Sequence, residues 1–459
     1  MQHSEKQAHH SQTKLTIPAV LIALLMAAMD STIVTPALPT IHLAMAHSAN
    51  WPWIMTGFLL PIAFIAPLVG GLSDRFGALT VFRLNILIFT SASLGASLAS
   101  SMPYLIAARV IQGIGSGGII VLSYTLLGTL FPPEKRAKVQ GLLSAVWGVA
   151  AIIGPAVGSL LLVYADWRSI FWLNIPVGLI ALFMMSQISS NDLTQNKKSV
   201  FIDPVSQFLA VIMMVGLLLT FNSPWHSTMS QSITAGCSLS ALMILILRVR
   251  PAPQRSPIPT EILHDSKQLC MAALIFLSSA NIYATVTLLP GALQHVASHN
   301  AAITGMLVTF AALGWVTGSM VCGKVLNESN DKRVILAGSL LLVIAPIAIS
   351  VSLDKSLYIL LASVIFSGMG TGLVATATLV KVQNSAPLSA MGRWTAAVQL
   401  LRNLGSVCGI SFLTGLYTAH LTSPRCFMIL ALFMGITVLC SFMLFKQQHI
   451  VAPPIEKMR

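Results

Sequence analysis

The sequence predicts an all-α integral membrane protein of fourteen transmembrane helices, grouped as two six-helix bundles with a two-helix hairpin inserted between them. Three observations predict this. Hydrophobic residues make up 55% of the 459 and charged residues only 8%, with a mean hydropathy of +0.82; soluble domains carry about 25% charged residues. The apolar residues gather into fourteen runs, each close to the roughly 20 residues that cross a bilayer as a helix. No run alternates with period two, so a membrane β-barrel is excluded. Helices remain, because they satisfy their own backbone groups.

The runs lie at 15–38, 51–72, 80–101, 103–131, 139–163, 168–188, 204–222, 231–248, 269–293, 301–326, 333–352, 356–380, 394–419 and 426–445. Their order sorts the basic residues. With the N-terminus taken as cytoplasmic, 21 of the 26 Lys and Arg fall in inner segments, three (Arg168, Lys355, Arg425) in outer loops and two (Arg109, Arg402) inside spans. Cytoplasmic loops retain positive charge, so the bias supports the run count and an inner (plasma) membrane protein with both termini cytoplasmic. It also accounts for the net charge of +13 by attraction to anionic lipid, without nucleic acid.

The expected plan is a cytoplasmic tail at 1–14, a bundle at 15–188, linkers with helices seven and eight at 189–268, a second bundle at 269–446 and a cytoplasmic tail at 447–459. Ala44-Met45-Ala46 imitates a signal-peptide cleavage site, but the run before it is too long and contains Asp30, so it reads as an uncleaved span. The six cysteines lack CxxC spacing and read as small buried hydrophobes. No metal and no cofactor is expected, and His3, His9 and His10 belong to a disordered polar tail.

A trace of repetition links the bundles. The loop after span 2 reads Gly70-Gly71-Leu72-Ser73-Asp74-Arg75-Phe76-Gly77, and its counterpart after span 10 reads Gly323-Lys324-Val325-Leu326-Asn327. Each places a glycine four residues before Asp or Asn. Two parallel repeats about a central pathway suit an alternating-access transporter. Gly70 permits close helix approach, and Asp74 can accept hydrogen bonds from a neighbouring helix's N-terminus. That arrangement would be an inner latch; the alternative is that Asp74 and Arg75 are ordinary topology-setting charges.

Asp30 lies inside the first span. A charged side chain at a helix centre costs about 2.5–3.5 kcal/mol on insertion scales, and no other Asp or Glu lies well inside a run. Asp30 is therefore the candidate proton-coupling group, a structural ion pair being the alternative. Span 4 brings Arg109, Gln112, Gly113, Ser116 and Gly117 to one helical face. At about 1.5 Å per residue, Asp30 is roughly 22 Å from the inner face and Arg109 roughly 9 Å from the outer one. In a core about 30 Å thick these depths nearly coincide. Asp30 and Arg109 are expected to communicate, directly or through Gln112 or water. In span 5, Ala150, Gly154 and Gly158 form a small-residue stripe, and Pro155 permits a bend. Such a helix can seal a pathway, and generic packing explains the stripe equally.

Together the motifs resemble those of the major facilitator superfamily, in its fourteen-span drug:proton antiporter branch. Asp30-x-Thr32-Ile33-Val34-x-x-Ala37-Leu38-Pro39 resembles the branch's first-helix motif, and Gly70 to Gly77 the superfamily's loop motif. Arg109-x-x-Gln112-Gly113-x-Gly115 resembles the fourth-helix motif assigned to proton coupling, and Gly154-Pro155-x-x-Gly158 the antiporter motif of helix five. Trp167-Arg168-x-x-Phe171-x-x-Asn174-x-Pro176-x-Gly178 opens helix six as in this branch, and Arg402-x-x-Gly405-x-x-x-Gly409 fits helix 13. The chain departs from the pattern at Thr35 (usually Asn), at Ala78 and Leu79 (usually basic) and at Ser159 (usually Gly). The resemblance implies a major facilitator fold and a proton-coupled secondary transporter, not an enzyme. It implies export of small lipophilic or cationic compounds by alternating access. The implied partners are the small-molecule substrate, protons and the lipid bilayer. A monomer is expected, with other envelope export components as candidate co-workers.

For the substrate cavity the sequence offers Trp147, Asn281, Tyr283, Trp315, Trp394, Gln399 and Arg402, each of which also fits a packing or interfacial place. A deprotonated Asp30 would attract a cation and release it on protonation. Arg402, about ten residues into span 13 and so roughly 15 Å deep, favours anionic or zwitterionic cargo instead: an endogenous metabolite, an amino acid-like compound or a siderophore. An intramembrane carboxylate protease would need two facing acids and a zinc protease an HExxH helix, and the sequence has neither. A channel would leave the repeated loop and the glycine-proline helix without a reason.

Overall fold

The computed structural model describes residues 2–45, 53–188, 203–222, 228–252, 256, 258–296, 301–327, 329–353, 356–418 and 422–446. In chain order they form α1 (Gln2–Ile33), α2 (Leu38–Ala44), α3 (Trp53–Phe64), α4 (Ala66–Phe76), α5 (Ala78–Ser97), α6 (Met102–Leu130), α7 (Pro133–Tyr164), α8 (Ser169–Trp172) and α9 (Asn174–Ser186). There follow α10 (Pro204–Asn222), α11 (Thr228–Val249), α12 (Thr260–His264), α13 (Ser266–Val296), α14 (Ala301–Val325), α15 (Asp331–Ser352), α16 (Leu357–Ser385), α17 (Met391–Thr418) and α18 (Ser423–Lys446). α1 extends back to Gln2, so the polar stretch before the first run, expected to be disordered, is drawn as helix.

Among the described residues, 12 helices are long and apolar enough to cross a membrane, and 13 if the bent pair α3–α4 counts as one span. α10 stands at the seventh predicted run and is helical over 19 residues, but lies outside that count. The expected fourteen crossings are reached only if α10 crosses as well. Polarity is arranged as lipid requires. Leu160, Phe183, Leu239 and Leu432 are exposed, while Asp30, Arg109, Gln112, Asn281 and Gln383 are fully buried. With hydrocarbon outside, polar side chains find partners only between helices.

The second predicted run, expected as one rod over 51–72, is two helices bent by 50° at Ile65. Proline is the cause. Pro67 has no N–H to return to the carbonyl of Ala63 one turn earlier, so the helical ladder breaks there. The freed carbonyl is not left bare. Asn403 of α17 donates its Nδ2 to it at 2.7 Å.

The chain forms two compact units, Met1–Thr260 with Leu379–Val407, and Glu261–Thr378 with Cys408–Arg459. The first buries Ile33, Ile41, Ile54, Leu105, Trp167 and Phe171 together. In it α10 and α11 pack as a hairpin, with Ser238 Oγ donating to the Met213 carbonyl at 2.8 Å. The ends of the hairpin are tied by Arg248, whose Nε and Nη2 donate to both Asp203 oxygens at 2.8 and 3.0 Å. That guanidinium holds the Asp203 carboxyl well below the usual carboxylate range. The second unit is centred on Leu274, Ile335, Leu342, Val374 and Phe427, with α15 and α18 joined through Ser339 Oγ and Ser441 Oγ at 2.9 Å.

Asn403→Ala strands the Ala63 carbonyl and should cost about 1–3 kcal/mol, read as a lower melting temperature in detergent. Adding Pro67→Ala returns an N–H to that carbonyl and should recover most of the loss. A double variant no better than the single one contradicts this origin of the bend.

Candidate functional site

Asp30 and Arg109 meet directly. Arg109 Nη1 contacts Asp30 Oδ2, and both side chains are wholly buried. Gln112, one turn along α6, donates Nε2 to Asp30 Oδ1 at 2.9 Å and accepts from Arg109 Nη1 at 2.8 Å. The same Nε2 reaches Ser93 Oγ of α5 at 2.8 Å. Asn174, the first residue of α9, donates Nδ2 to Asp30 Oδ1 at 2.8 Å. Arg109 is anchored further by Nε to the Ile54 carbonyl at 3.3 Å, and its guanidinium lies 4.0 Å from the Phe58 ring centroid and 5.7 Å from that of Phe171. Its Nη2 has no hydrogen-bond partner.

The contacts to the carboxylate are all of one kind. Arg109, Gln112 and Asn174 each present an N–H to the carboxylate, and the side chains hydrogen-bonded to it offer no lone pair to a carboxyl proton. Buried pairs of this kind contribute little net stability, but removing one partner typically costs about 3–5 kcal/mol because it leaves a bare buried charge.

α7 closes in behind the carboxylate. Thr32 Oγ1, two residues past Asp30, donates toward the Ala150 carbonyl at 3.1 Å. A Cβ added at Gly154 would collide with Thr32, and one at Gly158 with the Ile33 carbonyl. The small-residue stripe, interrupted by Pro155, thus seats α7 on the turn that carries Asp30.

The Asp74 region forms a second cluster. Asp74 Oδ1 accepts from the Gly392 amide at 2.8 Å and Oδ2 from the Arg393 amide at 2.9 Å, capping the first turn of α17. Asp74 lies beyond the predicted span edge at residue 72. Gly70 is required by close approach, since a Cβ there would strike Ala396 and the Gly392 carbonyl. Gly77 ends the helix at φ 91°, where side chains are strained. Arg75 takes no part in the capping; it is exposed and lies 5.2 Å from the Phe76 ring. Asn327, the repeat's counterpart of Asp74, spends its Oδ1 on its own turn, accepting from the Ser329 and Asn330 amides.

The first unit holds a further tie that the sequence did not announce. Arg136 Nη1 donates to the Gln383 carbonyl at 2.9 Å and to Asn384 Oδ1 at 2.8 Å. Gln140 Nε2 donates to Gln383 Oε1 at 2.9 Å, and Gln383 Nε2 to the Tyr124 carbonyl at 3.1 Å.

Residues 20–256 and 271–458 match the family described as Major Facilitator Superfamily. The chain belongs to the major facilitator superfamily. It is 27% identical over 419 residues to the multidrug transporter protein MdtP of Bacillus subtilis (strain 168), spanning 90% of this chain and 77% of that one. It is 23% identical over 415 residues to the riboflavin transporter RibZ of Clostridioides difficile (strain 630), spanning 90% of each. In fold it is similar to the proton:xylose symporter XylE, with a TM-score of 0.66 at 14% identity over 95% of this chain and 96% of that one. The superfamily is one of multi-pass secondary transporters, not enzymes.

The cavity candidates of this superfamily member fall into two groups. In the first unit, Gln399 accepts from Arg402 at 3.2 Å, Arg402 lies 6.0 Å from the Tyr124 ring, Trp147 faces the Tyr124 hydroxyl, and Trp394 is buried. In the second, Asn281 donates to Ser367 Oγ at 2.8 Å, and Tyr283 meets Trp315 edge-on at 6.4 Å. Ser93 and Asn174 were missed as site residues. Asn174 had a signal, being the polar position of the helix-six motif; Ser93 had none, as one serine among several in an apolar run.

Arg109→Ala should destabilise the protein by about 3–5 kcal/mol, and adding Asp30→Asn, which removes the stranded charge, should restore most of it. Thermal unfolding of the two variants checks this; a double variant as unstable as Arg109→Ala contradicts a charge-compensated pair.

Proposed function

We propose that this protein is a proton-coupled antiporter of the fourteen-span drug:proton branch, exporting small lipophilic compounds, cationic ones included, by alternating access. In this reading it lies in the plasma membrane with both termini cytoplasmic, and α10 and α11 are the inserted seventh and eighth spans. The observation that carries the proposal is the Asp30 carboxylate, wholly buried and surrounded by N–H donors from α6 and α9. Protonation ends its attraction to Arg109 and frees Gln112 and Asn174. α1 then loses its electrostatic tie to α6 and α9 and is free to shift. The α7 stripe transmits that shift, because it is seated on the next turn of α1. The Asp74 cap and the Arg136–Gln383 tie act as the inner latch. The names of relatives such as MdtP and multidrug resistance protein 3 of Bacillus subtilis favour drug-like cargo.

A second reading, export of an anionic or zwitterionic endogenous compound, is favoured by Arg402, for which no ion pair is found among the described residues.

Asp30→Asn should abolish export driven by an imposed pH gradient while the protein still inserts and folds. The check is dye efflux from proteoliposomes with and without a protonophore. Undiminished gradient-driven export by the variant refutes the coupling role.

A further inference from the structure

Two arginines lie inside predicted spans, and the structure treats them oppositely. Arg109 has Asp30. Arg402 is 7% exposed and, among the described residues, forms no ion pair; its Nε has no hydrogen-bond partner. Nη1 donates to the neutral Gln399 Oε1 at 3.2 Å, and the Tyr124 hydroxyl is the guanidinium's other polar neighbour. A guanidinium buried in hydrocarbon without a counter-charge is rare, and such residues face a cavity or substrate pathway.

The two faces of α17 show where it points. Gly392, Ala396 and Asn403 pack on α3 and α4, through Gly70 and the Ala63 carbonyl. Thr395, Gln399, Arg402 and Ser406 follow at helical spacing on another face. Thr395 Oγ1 accepts from Gln383, and Arg402 lies toward the Tyr124 ring on α6, whose hydroxyl faces the Trp147 indole of α7. The face therefore assembles one fixed positive charge, an amide, a phenol and an aromatic wall. A cationic group would be repelled there, whereas a carboxylate would take the open Nε–H and give the buried charge its counter-ion.

We propose that Arg402, with Gln399 and Tyr124, is a subsite for a carboxylate on the transported molecule, with Trp147 against its aromatic or apolar body. This deepens the second reading, export of anionic or zwitterionic compounds, by naming a cargo class, amphiphiles that carry a carboxylate, and for transport it rests on the exporter reading. Cargo lacking the carboxylate leaves the guanidinium bare and binds more weakly.

The test uses two dyes that differ at one group, rhodamine 110 with a free carboxylate and rhodamine 123, its methyl ester. Equilibrium binding to the full-length protein in nanodiscs is followed by dye polarisation for wild type, Arg402→Gln and Arg402→Lys. The wild type should bind rhodamine 110 more tightly than rhodamine 123. Arg402→Gln should weaken rhodamine 110 by about tenfold and leave rhodamine 123 within about twofold. Arg402→Lys, which keeps the charge, should fall between. Equal affinity of the wild type for the two dyes, or an equal loss of both in Arg402→Gln, overturns the subsite. Transport is read separately in proteoliposomes. A wild type that shows the carboxylate-selective binding but moves neither dye under a pH gradient upholds the subsite and overturns the exporter reading.

Discussion

A carboxylate in hydrocarbon persists only where hydrogen-bond donors converge on it, and that requirement organises the first unit. Asp30 sits on α1, yet its donors come from α6 and α9. Arg109 is in turn held by the Ile54 carbonyl of α3 and the Phe58 and Phe171 rings, and Gln112 by Ser93 of α5. Six helices, α8 among them through Phe171, thus converge on one charge. The close seating of α7 on the following turn adds a seventh. In the proposed mechanism, protonation at this point would reach every helix that contributes a donor.

Much of this was legible in the sequence, for physical reasons. Apolar runs must be helices in lipid, and thirteen of the predicted runs have counterparts that pass the same length and composition test when the bent pair is joined. That Asp30 and Arg109 communicate was legible from their matching depths and from the need of a buried guanidinium for a carboxylate; that the contact is direct came from the fold. What depth cannot supply is azimuth. Asn174 lies at a compatible depth, but nothing in a single sequence says which face of its helix looks toward Asp30. The bend between α3 and α4 was readable as proline, although not as a break capped by a side chain 340 residues away. The Asp74 cap was anticipated as an interaction with some helix N-terminus; that the terminus is α17, 318 residues on, needed the fold. Arg136 was counted as a topology-setting charge, and its contacts with Gln383 and Asn384 left no trace in spacing or composition.

The two buried arginines differ in how their charge is met, and the proposed roles follow that difference. Arg109 is neutralised inside the protein, which suits a group whose partner exchanges protons. Arg402 is left for something from outside, which suits a group that meets cargo. Burying either charge has a cost, which Asp30 offsets for Arg109 and which the proposed cargo carboxylate would offset for Arg402.

The account stands on Asp30 being ionised in the described arrangement and able to accept a proton within the membrane. The most direct measurement is the infrared difference spectrum of the membrane-embedded protein between alkaline and acidic buffer. Acidification should produce the C=O band of a protonated, buried carboxylic acid in the wild type, and that band should be missing from Asp30→Asn. The same band in both proteins, or none in the wild type, would contradict the claim that this carboxylate carries the proton.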